Sequence, residues 1–352
     1  MPPSRVGPFQ ILSVIGRGGV GTVYRGRHVE TAALAAVKVL GPAPAVDAGA
    51  ARRLAREYEV LRSLDHPNVI RVLEAGVTDG YSYLAMELVE GLDLRAYLSP
   101  ALDEAEARPL RLPPAREALE PLDGFSPAES EAGPEAIRAL AAIMDEPETG
   151  EFRQPGSPTR GDPPPEPAPQ ALAPLGPEAL LGLNRPARMA RLRGALSQVV
   201  DALGYVHTRR LVHRDLKPSN IMVDDRRRAR LMDFGLVKLP AEPGDGPAPP
   251  GRVVGTYRYM SPEQAQGHPV DGRSDLYSLG VILYELLAGA PPFVAREPVA
   301  LWREILHIRP APLHAVNPGV DRRLASLAER LLEKDPRRRC QSAAEVATAL
   351  EA

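Results

Sequence analysis

The sequence predicts an α+β molecule of two unequal lobes, a small β-rich lobe followed by a larger and mainly helical one. Three observations lead there. Apolar runs of strand length (residues 11–15, 35–40 and 83–88) alternate with glycine-containing turns in the first 90 residues. From residue 256 onward the apolar positions recur with helical spacing, over 274–288, 321–333 and 342–350. Between these regions lies a stretch of different composition: 18 of the 39 prolines fall in residues 100–186.

The elements follow in order. Residues 51–64 carry Leu54, Tyr58 and Leu61 at helical spacing and predict the one amphipathic helix of the small lobe. A short helix is expected near residues 94–98 and another from about Pro186. Residues 101–185 hold 16 acidic and 7 basic residues, a net of −9 that leaves +7 on the remainder. Proline, net charge and few apolar residues argue that most of this insert does not pack into a core. Within it, Ile137, Leu140, Ala141 and Met144 line up as one face of a short helix over 134–146. Asp321 and Ser342 stand where N-caps are expected for the last two helices. The division is therefore 1–90, a small lobe; 91–100, the passage into the large lobe; 101–185, a mostly disordered acidic insert; and 186–352, the large lobe.

Composition narrows the function classes. A chain of 352 residues, 44% hydrophobic, can bury one large core or two lobes. A net charge of −2 projects no field toward nucleic acid or an anionic membrane. Cys340 is the sole cysteine, which excludes an intrachain disulfide and argues against a zinc cluster. No signal peptide is expected in the first residues. The longest apolar stretch, 279–290, is interrupted by Tyr284 and Glu285 and is too short to span a bilayer. A cytoplasmic protein without a membrane segment is expected.

The chemistry-bearing motifs come in a definite order. Gly16-Arg17-Gly18-Gly19-Val20-Gly21 spaces glycines so that backbone N–H groups can approach phosphates. A dinucleotide-binding turn would need a helix next; Val23-Tyr24-Arg25-Gly26 reads as a second strand, so a hairpin over phosphates fits better. Lys38 sits in the apolar strand Ala35-Ala36-Val37-Lys38-Val39, where burial is costly without a partner. It is either an edge-strand lysine in solvent or a bridge between phosphate oxygens and a carboxylate. Glu57 is the preferred carboxylate and Glu59 the fallback. The segment His213-Arg214-Asp215-Leu216-Lys217-Pro218-Ser219-Asn220 gathers a carboxylate for a hydroxyl proton, an ammonium for a phosphoryl group and an amide for a metal. Phosphoryl transfer consists largely of such positioning and charge stabilisation. Asp233-Phe234-Gly235 then supplies a hard oxygen for Mg²⁺ beside a glycine that permits a hinge.

Together these motifs resemble the protein kinase superfamily, and within it the bacterial eukaryotic-type (Hanks-type) serine/threonine protein kinases, over roughly residues 5–100 and 187–352. The resemblance implies a bilobal protein-kinase-like fold, ATP and Mg²⁺ (with Mn²⁺ as a substitute) and protein substrates bearing Ser or Thr. It implies that Ile15, Gly16, Gly18, Gly21, Val23 and Ala36 enclose ATP and that Lys38 contacts its α- and β-phosphates while pairing with Glu57. Met86 matches the gatekeeper, Glu87 and Val89 the hinge that binds adenine, and Asp93 the ribose contact. Asp215 matches the catalytic base, Lys217 the γ-phosphate contact, and Asn220 and Asp233 the metal ligands. Lys217 and Gly255-Thr256 imply Ser/Thr specificity. Ser261-Pro262-Glu263 stands where the family has Ala-Pro-Glu, Glu263 is expected to pair with Arg339, and Asp275 to brace the catalytic loop. The alternative is a nucleotide-binding pseudokinase scaffold, which usually lacks one of the lysine, the catalytic Asp or the metal Asp; all are retained here.

Two departures bear on control. No Ser, Thr or Tyr lies between Asp233 and Gly255, so Arg214 lacks the phosphorylated partner that the resemblance would give it there. Activity independent of loop phosphorylation is expected, with Glu242 or Asp245 as candidate stand-ins beside the plain reading of a solvated Arg214. The insert is either a tolerated solvated loop or a docking arm, with Ser126, Ser130, Thr149, Ser157 and Thr159 as autophosphorylation candidates. Glu285 and Asp93 are candidates to favour basic residues near the acceptor.

Overall fold

A computed structural model describes residues 3–18, 21–42, 61–78, 81–100, 175–233, 257–295 and 297–351. The expected helix over 51–64 (all but its end), Glu57, the insert's interior, Phe234-Gly235, Glu242, Asp245 and Thr256 lie outside the described residues.

The first lobe is a six-stranded antiparallel sheet. Its strands are β1 (Arg5–Val6), β2 (Phe9–Gly18), β3 (Gly21–His28), β4 (Leu34–Pro42), β5 (Val72–Thr78) and β6 (Tyr81–Glu87). The order is β1-β2-β3-β4-β6-β5. Period-two alternation divides its faces. Ala35, Val37, Tyr83 and Ala85 point to a closed cluster with Val6 and Phe9. Cross-strand neighbours share a face, and on the other face Val23 stands opposite Lys38, and Ala36 opposite Met86. Ala36 and Met86 thereby join the large core of the second lobe.

Past β6 the chain leaves the sheet at residues 88–90 and enters β7 (Gly91–Asp93) and α1 (Leu94–Tyr97). It resumes with α2 (Pro177–Leu183), which lies inside the span read as insert, and α3 (Pro186–Thr208). A small sheet of β7, β8 (Ile221–Asp224) and β9 (Ala229–Leu231) follows. The remaining helices are α4 (Pro262–Ala265), α5 (Gly272–Ala288), α6 (Pro298–His307), α7 (Leu313–Val316), α8 (Arg322–Leu331) and α9 (Ala343–Glu351). Asp321 caps α8 through the N–H groups of Arg323 and Leu324, and the Ser342 hydroxyl accepts from Glu345 N–H in α9. Helix α5 is buried from Ser274 to Ala288, the pattern of a helix enclosed on all sides. It ends where Gly289 adopts φ +79°, a left-handed cap that suits glycine.

Two buried arginines fasten this lobe. The guanidinium of Arg188 donates to the carbonyls of Leu98, Leu183 and Leu286 at 2.7, 2.7 and 2.8 Å. Leu98 and Leu183 flank residues 101–174, so one side chain holds the two ends of the insertion together. Loop-closure entropy grows only slowly with length, which makes a long insertion tolerable between anchored ends. Arg339 uses all five of its N–H donors. Two reach the Glu263 carboxylate at 2.7 and 2.8 Å, and the others reach the carbonyls of Arg273, Glu333 and Lys334. Ser274 Oγ adds a bond to Glu263 at 2.6 Å. Burial opposes the ionised Glu263, but Arg339 and Ser274 outweigh it and hold its carboxyl below the usual range. Breaking such a pair strands a buried charge. Arg339→Met is expected to cost about 3–5 kcal/mol, measured from the urea unfolding midpoint. Arg339→Lys, which keeps the charge but not the planar fork, should recover only part of it.

Candidate active site

The site lies where the β8–β9 hairpin meets the loop that follows α3. Asn220 immediately precedes β8 and Asp233 stands two residues past β9, so pairing of Ile221 with Leu231 brings them together. Met232 fixes the second arm. Its N–H donates to the carbonyl of Asn220 at 2.8 Å, and its carbonyl accepts from His213 Nε2 at 2.9 Å. Residues 68–70 extend the arrangement toward the first lobe: Ile70 N–H donates to the Leu231 carbonyl and Leu231 N–H to that of Asn68.

Asp215, Lys217 and Asn220 form one cluster. Lys217 Nζ donates to Asp215 Oδ2 at 2.7 Å. Asn220 Nδ2 donates to the Asp215 carbonyl at 2.8 Å and to Oδ2 at 3.1 Å. Asp215 Oδ1 has no hydrogen-bond partner among the described residues. Because the Asn220 amide nitrogen faces Asp215, its Oδ1 faces away from that carboxylate. On the sheet side, Lys38 Nζ meets Asp233 Oδ1 at 2.9 Å. The strand lysine thus has a carboxylate partner across 195 residues of sequence. Its expected partner Glu57 lies outside the described residues.

The loop's backbone is held in an uncommon shape. Arg214 and Asp233 have φ of +64° and +49°, a left-handed conformation that costs energy for residues with a Cβ. At Arg214 the surroundings enforce it. Its N–H donates to Asp275 Oδ1 at 2.9 Å, and its carbonyl accepts from Gln264 Nε2 at 3.0 Å. Asp275 Oδ2 also accepts from His213 N–H and faces His207 Nε2, both at 2.8 Å. The bracing expected of Asp275 is therefore present; His207, 68 residues away in sequence, is an addition that no local pattern signalled.

The remaining candidates lie in the first sheet and in the segment that follows it. Gly16 stands opposite Val23, and a Cβ built at Gly16 would meet nothing within 4 Å, so no atom of the described residues requires a glycine there. Ile15 lies at a register shift in β2 and is 44% exposed. Gly18 pairs with Gly21 at the hairpin end. Met86 is buried. Glu87 donates its N–H to the Arg71 carbonyl, and its carboxylate accepts from Arg71 N–H and Arg230 Nη1. Val89 lies in the 88–90 segment outside any strand, where backbone groups are not committed to a ladder. Asp93 caps α1 through a bond from Ala96 N–H to Oδ1 at 2.8 Å. Asn220 and Asp233 offer oxygen donors that fit Mg²⁺, which takes one or two protein oxygens and completes its shell with water and phosphate. Among the described residues no cluster of three or more His, Cys, Asp or Glu suits a metal.

A β-sheet lobe closing with a lysine on a loop of this design defines the protein kinase architecture. The chain belongs to the protein kinase domain family, whose model matches residues 9–112 and 179–349. Its relatives include the serine/threonine-protein kinases pkn2 and pkn3 of Myxococcus xanthus. The first is 32% identical over 98% of this chain and 32% of its own length; the second is 31% identical over 95% and 48%. The chain thus spans a third to a half of these relatives. The crystal structure of the Mycobacterium tuberculosis PknI kinase domain superposes with a TM-score of 0.55 at 25% identity, covering 99% of this chain and 96% of that one. Among the described residues no helix is long and apolar enough to cross a membrane.

His213 gives this site a pH signature. Burial is the main influence and lowers its pKa; Asp275 and Asp215 oppose it. The folded protein keeps the imidazole neutral at a pH where an unfolded chain, with a pKa of about 6.5, binds a proton. Its contribution to stability is complete above about pH 6.5 and is lost as the pH falls toward the lowered folded value. The urea midpoint should fall between pH 7.5 and pH 5.5, and His213→Asn should show a smaller fall.

Proposed function

We propose that the chain is a serine/threonine protein kinase that transfers the γ-phosphate of ATP to protein hydroxyls, including its own. The observation that carries this is the Asp215 carboxylate: Oδ2 is held by Lys217 and Asn220, while Oδ1 is without a partner among the described residues. A base for an incoming hydroxyl needs this combination of fixed orientation and one available oxygen.

In the proposed reaction Asp215 orients the substrate Ser or Thr hydroxyl and takes its proton as the oxygen bonds to the γ-phosphorus and the β,γ-bridging bond breaks, releasing ADP. Lys217, already beside Asp215, neutralises charge on the transferring group. Lys38 positions the α- and β-phosphates, exchanging part of its hold on Asp233. Asn220 and Asp233 would hold Mg²⁺, which would supply charge neutralisation to the phosphates when bound. Ile15, Val23, Ala36 and Met86 enclose the adenine, with the backbone of Glu87 and Val89 at its edge and Asp93 at the ribose. Gly16, Gly18 and Gly21 leave the room that phosphates need. Glu57 is proposed as a second partner for Lys38. The lobe boundaries 1–90, 91–100 and 186–352 complete this reading, with 101–185 as insert except for helix α2, whose Leu183 is buried and bonded to Arg188 in the large lobe.

Phosphate transfer to a generic protein acceptor, followed with γ-labelled ATP, tests it. Asp215→Asn should fall about 10²- to 10⁴-fold, the range for loss of a positioned base. Equal rates for the variant and the native chain would contradict the proposal.

A further inference from the structure

Glu285 reads from sequence as an acid that attracts basic substrate residues, and the structure places a cation in front of it. Both of its oxygens are engaged. Arg95 Nε lies 2.5 Å from Oε1, and the Tyr259 hydroxyl donates to Oε2 at 2.6 Å. Arg95 Nη2 also donates to the Tyr259 hydroxyl, which closes a three-membered network. The Glu285 side chain is 11% exposed and that of Arg95 54%, so the guanidinium is the part of the network that meets solvent. Arg95 Nη1 carries no bond among the described residues.

A short stretch of chain ties the network to the loop that carries Asp215. Arg95 is on α1, capped by Asp93. Tyr259 is anchored to the core by Ser278 Oγ, which donates to its carbonyl at 2.7 Å. Five residues on, Gln264 bonds the Arg214 carbonyl in the catalytic loop. A peptide that reaches Asp215 past the segment around Tyr259 would meet an exposed guanidinium with a donor to spare, and the carboxylate behind it is already neutralised. Like charges brought together at an interface are penalised, and opposite charges are selected.

We propose that Arg95 is a specificity-determining residue that turns this subsite away from basic side chains and toward an acidic one on the substrate peptide. The inference rests on the phosphotransferase reading above and names the substrate class that reading leaves open. Arg95 acts here by its charge and position and takes no part in the transfer itself.

The test is a positional-scanning library of Ser-centred peptides, phosphorylated by the full chain. The native protein should prefer Asp or Glu over Arg at one position by about two- to fivefold, the scale of an exposed ion pair. Arg95→Met, which keeps much of the apolar stem, should reverse that preference by exposing Glu285. Glu285→Gln, which leaves the guanidinium unneutralised, should sharpen the acidic preference and decides the matter if Arg95→Met does not fold. Native selection of basic residues there, or a profile unchanged in both variants, would overturn the inference. Anisotropy binding of the same Glu and Arg peptides to the Asp215→Asn variant reads the preference without chemistry. Equal affinities there overturn the inference even if transfer occurs. Discrimination without transfer by the native chain upholds the inference and overturns only the phosphotransferase reading.

Discussion

The carboxylate of Asp275 is the contact on which the catalytic geometry depends. It is fully buried in a helix that is itself enclosed by the second lobe, and it accepts the N–H groups of two successive residues, His213 and Arg214. Those bonds offset the desolvation of the charge and fix the left-handed turn at Arg214. Asp215 follows directly, with its N–H on the His213 carbonyl at 2.9 Å. The buried helix thus bears on the direction of the Asp215 carboxylate through the Asp275 side chain. An energetically costly backbone persists at a site only where its surroundings over-determine it, and here Asp275 and Gln264 do so from two sides.

The two arms of the cleft are coupled through the same chain of contacts. His213, buried, reaches Met232, and Met232 reaches Asn220. Asp233 leaves this junction toward the first lobe and meets Lys38. Arg230 on β9 adds a second tie, bonding both Glu87 and the carbonyl of Pro67. Lobe, hairpin and loop thus share hydrogen bonds as well as apolar packing, and displacing any one of His213, Met232 or Asp233 would be felt at the others.

Legibility in the sequence followed distance along the chain. Asp215, Lys217 and Asn220 lie within six residues, so their motif announced both identity and proximity. The long helices were legible because burial imposes a period that survives in composition. Strands β7 to β9 have three or four residues each, too few for a period, and β5 carries Gly76 inside it. Lys38 was recognisable as a costly buried cation, but that Asp233 answers it is a tertiary fact. Arg95, Tyr259 and Glu285 carry no local pattern, since 190 and 164 residues separate Arg95 from its partners. Glu285 considered alone suggests a preference for basic residues, and the sequence does not show that Arg95 stands against it. Reading a charge correctly requires knowing what already neutralises it.

The central claim is that the buried helix, acting through Asp275, holds Asp215 in working position. Phosphate transfer by Asp275→Asn, with nucleotide affinity measured on the same sample, tests this most directly. The account predicts nucleotide affinity within about twofold of the native chain and transfer slowed about 10²-fold, the scale of a small misplacement of a catalytic group. Transfer at the native rate by a folded Asp275→Asn variant would contradict it.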